Sequence, residues 1–581
     1  MTVRYAPCEC VGPGYRCAIP DLIGSGPARQ EDAVRALGVN AIFHDPSAAL
    51  VVDGRIVAAA EEERFSRRKH GKRPVPWSAW ELPEQSMRWC LETAGLRPED
   101  LDVVGYSYDP ALCEPVEALG VDDPWDHIRT DYARRAPAFL AHALPGLDPD
   151  TVRFVPHHVA HAASAGLAAP YPSSACLVLD GRGERASHLA GRYRADGSLE
   201  VLATQRLPHS LGLLYEDLTE HLGFTRSSDE YKVMALASYG KPRHLGDFRD
   251  LVRATGEGGF VTEPVDWSAY VPRRRSGDDV GDAYADLACS VQRRLEEVLL
   301  ELASWLYDAT GERVLTMAGG TALNCVANSV LARRGPYEHV WVQPAAGDAG
   351  TSLGAALDVS LSAGRAEPMA TAALGRSWTG DELAARLRTA RLPFDTPADP
   401  ADAVAEALAR DEIVGYFQGR SEYGPRALGH RSLLAHPGNP ANTERLNDVK
   451  GREQFRPIAP LVLAEHAADI FNGPLPSPYM LFVHDVDPAW RDRIPAVVHV
   501  DGTARIQTVD RDTEPSLARV LERFEARTGL PVLVNTSMNT AGRPMVDSPT
   551  DALELFGSAP LDLLVLGPHL VRRTTAFGGP R

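Results

Sequence analysis

The sequence lacks an excess of positive charge. Its 60 Lys and Arg stand against 78 Asp and Glu, a formal net charge of −18, and such a chain binds nucleic acid poorly in any non-specific way. A phosphate or nucleotide must then be held by a local cluster of cations. Cysteine is also scarce: eight in 581 residues, unevenly spaced, do not make a disulfide framework. Cys8, Cys10 and Cys17 fall in the first 30 residues, which read as a disordered extension (residues 1–36) rather than as a metal site. No apolar run reaches membrane-spanning length, and the start "MTVRYAPCECVGPGYRCAIPD" has no continuous apolar segment. The expectation is a cytoplasmic protein. Gly and Pro form no tracts, as in ordinary globular chains. At 581 residues the chain exceeds what one hydrophobic core can organise, so two or more domains are expected.

What is present reads as α/β. From Leu37, "AALVVDG" and "RIVAAAEEE" pair about an Asp-Gly turn, a strong hairpin signal. The arrangement recurs in "SSACLVLDGRGERASHLAGRYRADGSLEVLATQ", closed at Asp196-Gly197. Two strand-hairpin units separated by helices point to one domain with two similar halves. "YADLACSVQRRLEEVLLELASWLYDAT" has helical periodicity. "RVLTMAGGTALNCVANSVLARRG" and "HVWVQPAAGDAGTSLGAALDVSLSAG" each read strand, glycine loop, helix. Periodicity fades over 362–380, a domain junction. Beyond it, strands are expected at "EIVGYFQG", "APLVLAE", "PAVVHVDG", "ARIQTVD" and "LPVLVNTS". "VPRRRSGDDVGD" reads as a solvated surface loop.

The stretch "FVPHHVAHAAS" holds three histidines in five positions. His157 and His161, four apart, share a helix face and can reach one ion, whereas His158 points roughly 100° away. An isolated pair of this kind also fits a helix start with hydrogen-bonded histidines. Asp180 at the end of "ACLVLD" and Asp348 in "PAAGDAG" weigh towards metal, because both belong at the C-terminal edge of a sheet. Two imidazoles and two carboxylates suit iron, manganese or zinc. "MAGGTALN", "AAGDAGTSLGAAL" and "LDGRGE" outline a phosphate cradle. In the second domain, Arg426, His430, Arg431, Lys450, Arg452, Arg456 and Arg505 interleave with Gly and Pro and make a basic pocket. Asn535, Ser537 and Asn539 could complete it or cap a turn.

The ordered motifs "FHDPSAALVVDG", "EEERFSRRKHG", "HHVAHAAS", "LDGRGE", "EYKVMALASYG", "GGTALN", "GDAGTSLGAAL", "EYGPRALGHRS", "FRPIAP", "DGTARIQTV" and "NTSMN" resemble the O-carbamoyltransferase family. Its members include nodulation protein U and the tobramycin, cephalosporin, novobiocin and bleomycin carbamoyltransferases. The resemblance runs from residue 37 to about 575. It implies a duplicated actin/Hsp70/sugar-kinase-like (ribonuclease H-like) metal-binding domain over 37–370, followed by a YrdC-like α/β domain over 371–581. By that resemblance the second domain turns carbamoyl phosphate and ATP, with Mg, into carbamoyl adenylate, and the first transfers the carbamoyl group to a hydroxyl of a small natural product. The resemblance assigns the metal, with Fe(II) favoured, to His157, His161, Asp180 and Asp348. It places His44 as general base and Lys69 at the carbamoyl adenylate, with Lys232, Gly319, Gly320 and Asn324 also facing that nucleotide. Carbamoyl phosphate and ATP fall to Arg426, Lys450, Arg456, Arg505, Asn535 and Ser537. The partners are therefore small molecules, with neither nucleic acid nor membrane expected, and the assembly, a homodimer among the options, is open.

Two other readings stay on the table. A tRNA-modifying enzyme of the threonylcarbamoyl-adenosine type would use both domain types, but the charge of −18 opposes it. A non-catalytic metal or nucleotide sensor is the other. The acceptor, whether an aminoglycoside, a macrolide or glycopeptide sugar, an ansamycin or a lipochitooligosaccharide, is not written in the motifs.

Overall fold

The computed structural model describes residues 34–71, 81–121 and 123–578. The expectations for Cys8, Cys10, Cys17 and all but the last three residues of the extension lie outside them. From Val34 on, the chain forms one compact unit of mixed α/β structure. Regular structure begins at Arg35, slightly before the expected start near Leu37.

The first sheet contains β1 (Arg35–Asn40), β2 (Ser47–Val52), β3 (Arg55–Glu61), β4 (Val103–Tyr106) and β5 (Val152–Phe154), in the order β3-β2-β1-β4-β5. The hairpins are antiparallel and β1-β4-β5 are parallel. In the second half come β6 (Ser174–Leu179), β7 (Ala186–Tyr193), β8 (Leu199–Arg206), a ribbon of β9 (Val252–Ala254) and β10 (Phe260–Thr262), then β11 (Val314–Ala318) and β12 (His339–Val342). The second sheet, β8-β7-β6-β11-β12, has the strand order and senses of the first. β6, "SACLVL", is buried at every position, the pattern of a strand covered on both faces.

The third sheet uses β13 (Val414–Phe417), β14 (Arg431–Ala435) and β15 (Ala459–Leu463). After a small ribbon of β16 (Phe471–Asn472), β17 (His484–Val486) and β18 (Thr503–Ala504) come β19 (Gln507–Val509), β20 (Val532–Ser537), β21 (Leu563–Leu566) and β22 (His569–Arg572). Its order is β19-β15-β20-β14-β13-β21-β22, and the buried members of its core run from Leu383 to Val571. One expected strand is absent: "PAVVHVDG" forms the 3-10 turn Pro495–Val497 and an irregular segment, where the Gly502 N–H closes a turn on the His499 carbonyl. "VPRRRSGDDVGD" is not wholly a solvated loop, because Arg274 is buried and lies over Phe224.

The two parts are bolted together by side chains that cross between them. Arg64 donates to the Gly424 carbonyl at 2.8 Å, and the Gly424 N–H donates to Glu61 at 2.8 Å. Arg67 donates to the Met545 and Pro544 carbonyls. In the other direction, Leu481 and Phe482 join the core of the second sheet. No helix among the described residues is long and apolar enough to cross a membrane.

Candidate functional site

Two helices and the end of β6 bring the histidines and carboxylates together. His157 opens the helix His157–Gly166 and His161 follows one turn later. Asp348 stands at the start of the helix Ala349–Val359. These helices cross almost backbone to backbone: a Cβ on Gly354 would lie 1.7 Å from the Ala160 carbonyl oxygen, so the approach requires glycine. Asp180 follows β6, with its Oδ1 accepting the Gly320 N–H at 2.9 Å. One donor atom from each of His157, His161, Asp180 and Asp348 lies within 4.8 Å of all the others, and all four side chains are buried.

These four residues fit a divalent ion. His157 Nε2 is 3.3 Å from Asp180 Oδ2, and His161 Nε2 is 3.5 Å from Asp348 Oδ1. Nε2 of His161, the nitrogen that faces the carboxylates, is buried without a hydrogen-bond partner among the described residues, a costly state that a metal would relieve. Burial works against charge on His157, yet Asp180 and Asp348 raise its pKa to about 9; the carboxylates want a cation here. His157 Nδ1 faces the Ser107 carbonyl at 3.2 Å, which orients the ring as an outer-shell partner does. Glu184 supports the same helix end, accepting the N–H groups of His157 and Asp109, each at 2.8 Å. Sequence reasoning passed over Glu184 although it ends the motif "LDGRGE". His158 is buried beside Gly183 and held neutral by burial and the neighbouring His157.

His44 lies alongside, its Nε2 3.7 Å from Asp348 Oδ2 and its Nδ1 2.9 Å from Asp45 Oδ2. Asp45 also meets His70 Nδ1 at 2.7 Å. Burial opposes the Asp45 charge, but His70 and His44 bring its pKa well below the usual carboxylate range. An ionised Asp45 between the two Nδ1 atoms fixes the orientation of both imidazole rings. Asp45 is a residue that the sequence reading missed, with only its place beside His44 as a signal.

A cavity of about 1920 Å³ joins this cluster to the third sheet. Its wall includes His44, Lys69, Asp180, Lys232, Gly320, Asn324, Asp348, Arg426, Lys450, Arg456, Arg505, Asn535 and Ser537. At the far end cations outnumber carboxylates. Burial and the neighbours Arg452, Arg456 and Lys69 push the Lys450 pKa well down, and burial with Arg505 lowers that of Arg426. Arg452, which borders the same space, is lowered by burial and Arg456. Lys450 Nζ donates to Ser537 Oγ at 2.9 Å, to Asn539 Oδ1 at 2.6 Å and to the Ser537 carbonyl. Crowded guanidinium groups with buried, unsatisfied N–H atoms at Arg426, Arg452 and Arg505 suit a polyanion.

Several residues expected at ligands are committed elsewhere. Gly319 does not line the cavity among the described residues; its φ is +93° and a Cβ there would lie 2.1 Å from the Leu179 carbonyl oxygen, so glycine serves strand packing. The Gly320 N–H serves Asp180 rather than standing free for phosphate. Asn324 caps the helix Cys325–Arg334 and exchanges hydrogen bonds with Gln292. Lys232 is paired with Glu453 at 2.8 Å and Asp229 at 3.1 Å. His430 pairs with Glu514, and the wholly buried Arg431 donates to the carbonyls of Gln418, Gly419 and Arg376. Neither belongs to the basic pocket.

Two family models match the chain: "Carbamoyltransferase N-terminus" over residues 35–123 and 130–357, and "Carbamoyltransferase C-terminus" over 405–573. The chain belongs to the carbamoyltransferase family. This carbamoyltransferase is 37% identical over 563 residues to nodulation protein NolNO of Sinorhizobium fredii, covering 92% of this chain and 80% of that protein. Nodulation protein U of Rhizobium tropici is 30% identical over 564 residues, 88% of this chain and 92% of that protein. Among solved structures, HypF of T. kodakarensis aligns with a TM-score of 0.37 at 16% identity, over 57% of this chain and 48% of that one.

Proposed function

We propose that this carbamoyltransferase makes carbamoyl adenylate from carbamoyl phosphate and ATP at the third sheet, and passes the carbamoyl group to a hydroxyl of a small natural product at the His/Asp cluster. The observation that carries the reading is one cavity with two unlike ends: a set of metal donors at one, crowded cations at the other. The repeated strand order of the first two sheets supports a duplicated actin/Hsp70/sugar-kinase-like domain to about residue 370, and the separate core from Leu383 on supports a YrdC-like domain after it.

In this reading, Lys450, Arg456, Arg505 and Arg426 hold the phosphates while carbamoyl phosphate, ATP and one water give carbamoyl adenylate, phosphate and pyrophosphate. A carbamoyl carbon is a poor electrophile because its nitrogen donates into the carbonyl, and the mixed anhydride overcomes this. The enclosed path limits hydrolysis of the intermediate. At the cluster, His44 Nε2 takes the proton of the acceptor hydroxyl, the oxygen bonds to the carbamoyl carbon, and the bond to AMP breaks. Lys69 stabilises charge on the departing side. His157, His161, Asp180 and Asp348 would hold a divalent ion, Fe(II) by resemblance, which supplies Lewis-acid polarisation when bound. Incubation with ATP and labelled carbamoyl phosphate should give pyrophosphate, and AMP release that rises with acceptor. No pyrophosphate under any metal supply sinks the reading.

A further inference from the structure

Asn535, on β20, lines the cation-rich end of the cavity, and its side-chain amide is almost wholly buried. Its Nδ2 spends both protons, donating to the Ala427 carbonyl at 3.1 Å and to Gln507 Oε1 at 2.8 Å. Its Oδ1 has no partner among the described residues. A buried amide oxygen without a donor is costly, so its orientation must be imposed from outside.

The imposing group is Gln507. Its Nε2 donates to the Leu428 carbonyl at 2.7 Å, so its Oε1 faces Asn535 and the Asn535 nitrogen must turn towards it. β15 lies between the two strands, with Ala459 opposite Asn535 and Leu461 opposite Gln507; the small side chain of Ala459 lets the glutamine reach across. The Ala427 and Leu428 carbonyls are fixed in turn, because one buried carboxylate oxygen of Glu422 accepts the N–H groups of Leu428, His430 and Arg431 at 2.7, 3.0 and 3.1 Å. Gln507 is 2% exposed and does not border the cavity among the described residues, so it acts through Asn535.

We infer that Gln507 is a positioning residue that locks the Asn535 amide with its oxygen as acceptor for the amino group of the carbamoyl donor, and that this lock selects a carbamoyl over an acyl group of the same shape. A site built to receive an N–H rejects an analogue that lacks one, because its buried acceptor stays unpaired. This rests on the reading of the third sheet as the site for carbamoyl phosphate and ATP. With Gln507 gone, Nδ2 keeps only the Ala427 carbonyl, the amide turns more readily, and a nitrogen turned towards the ligand opposes the carbamoyl N–H, so the preference for carbamoyl over acetyl is lost.

The test is donor-dependent pyrophosphate release by the full-length enzyme, comparing kcat/KM for carbamoyl phosphate with that for acetyl phosphate, and for ATP with that for ITP. In Gln507→Met the carbamoyl-to-acetyl ratio should fall at least about tenfold, with the ATP-to-ITP ratio unmoved. Gln507→Glu, protonated in this buried place and able to donate to Leu428 while accepting from Asn535, should keep the ratio. Gln507→Ala, which removes the same two hydrogen bonds, answers the question if the methionine variant does not fold. An unchanged ratio overturns the inference, as does a fall in the ATP-to-ITP ratio instead, which would give the acceptor to the base. Wild-type enzyme that releases no pyrophosphate with carbamoyl phosphate refutes the site itself, a different failure.

Discussion

Gly354→Ala tests whether the contact between two helices is what assembles the metal donors. The new Cβ would lie 1.7 Å from the Ala160 carbonyl oxygen and 2.8 Å from the Ser164 nitrogen. Both are backbone atoms, so no side chain can rotate away. Restoring an ordinary C···O contact of roughly 3.3 Å means moving the helices apart by roughly 1.6 Å. Overpacking of this kind costs about 1–3 kcal/mol, read as a fall in Tm of a few degrees. The effect on the donors is larger, since Asp348 rides on one helix and His157 and His161 on the other, while metal–ligand distances tolerate only about 0.2 Å. Metal content after dialysis against divalent ions, measured by mass spectrometry, should drop well below that of the wild type. Gly246→Ala is the control: its Cβ would meet nothing within 4 Å, and neither Tm nor metal should fall. A Gly354→Ala protein with wild-type Tm and full metal refutes the reasoning.

Three further outcomes are expected. His161→Ala should lose bound metal and acceptor transfer while keeping carbamoyl phosphate-dependent pyrophosphate release; transfer that survives without metal contradicts the assignment. Arg456→Ala should cut pyrophosphate release by about a hundredfold or more with the circular dichroism spectrum unchanged, and normal release would remove Arg456 from the anion site. Burial raises the Glu61 carboxyl from 4.5 to about 7 against the pull of Arg64, so the folded state keeps this proton to higher pH than the unfolded chain. The stability it contributes is complete below about 4.5 and lost as pH rises through about 7, up to about 3 kcal/mol. Glu61→Gln should lack that loss, and Tm curves for the two proteins that stay parallel from pH 4 to 8 refute it.

Sequence alone located what depends on local pattern. The spacing of His157 and His161 and the strand ends carrying Asp180 and Asp348 are short-range facts, and the Asp-Gly turns announced both hairpins. What depends on distant partners was hidden. "GGTALN" reads as a ligand loop, yet its glycines answer to Leu179 and Asp180, and its asparagine to Gln292 on another helix. In "EYGPRALGHRS" nothing local separates Arg426 from Arg431; the carbonyls of Gln418, Gly419 and Arg376 and the ring of Phe417 hold the Arg431 guanidinium inside. "PAVVHVDG" has strand composition, but its leading proline starts a 3-10 turn. Asp45 and Glu184 act on partners that the fold brings to them, His70 for the one and the N–H groups of Asp109 and His157 for the other.

Arg64 and Arg67 reach from the first part into the second, and Leu481 and Phe482 reach back. Each portion thus carries a fragment of the other's interior. Evolution and engineering therefore face a constraint that two beads on a string would escape: whole halves cannot be exchanged between relatives unless these borrowed residues travel with them.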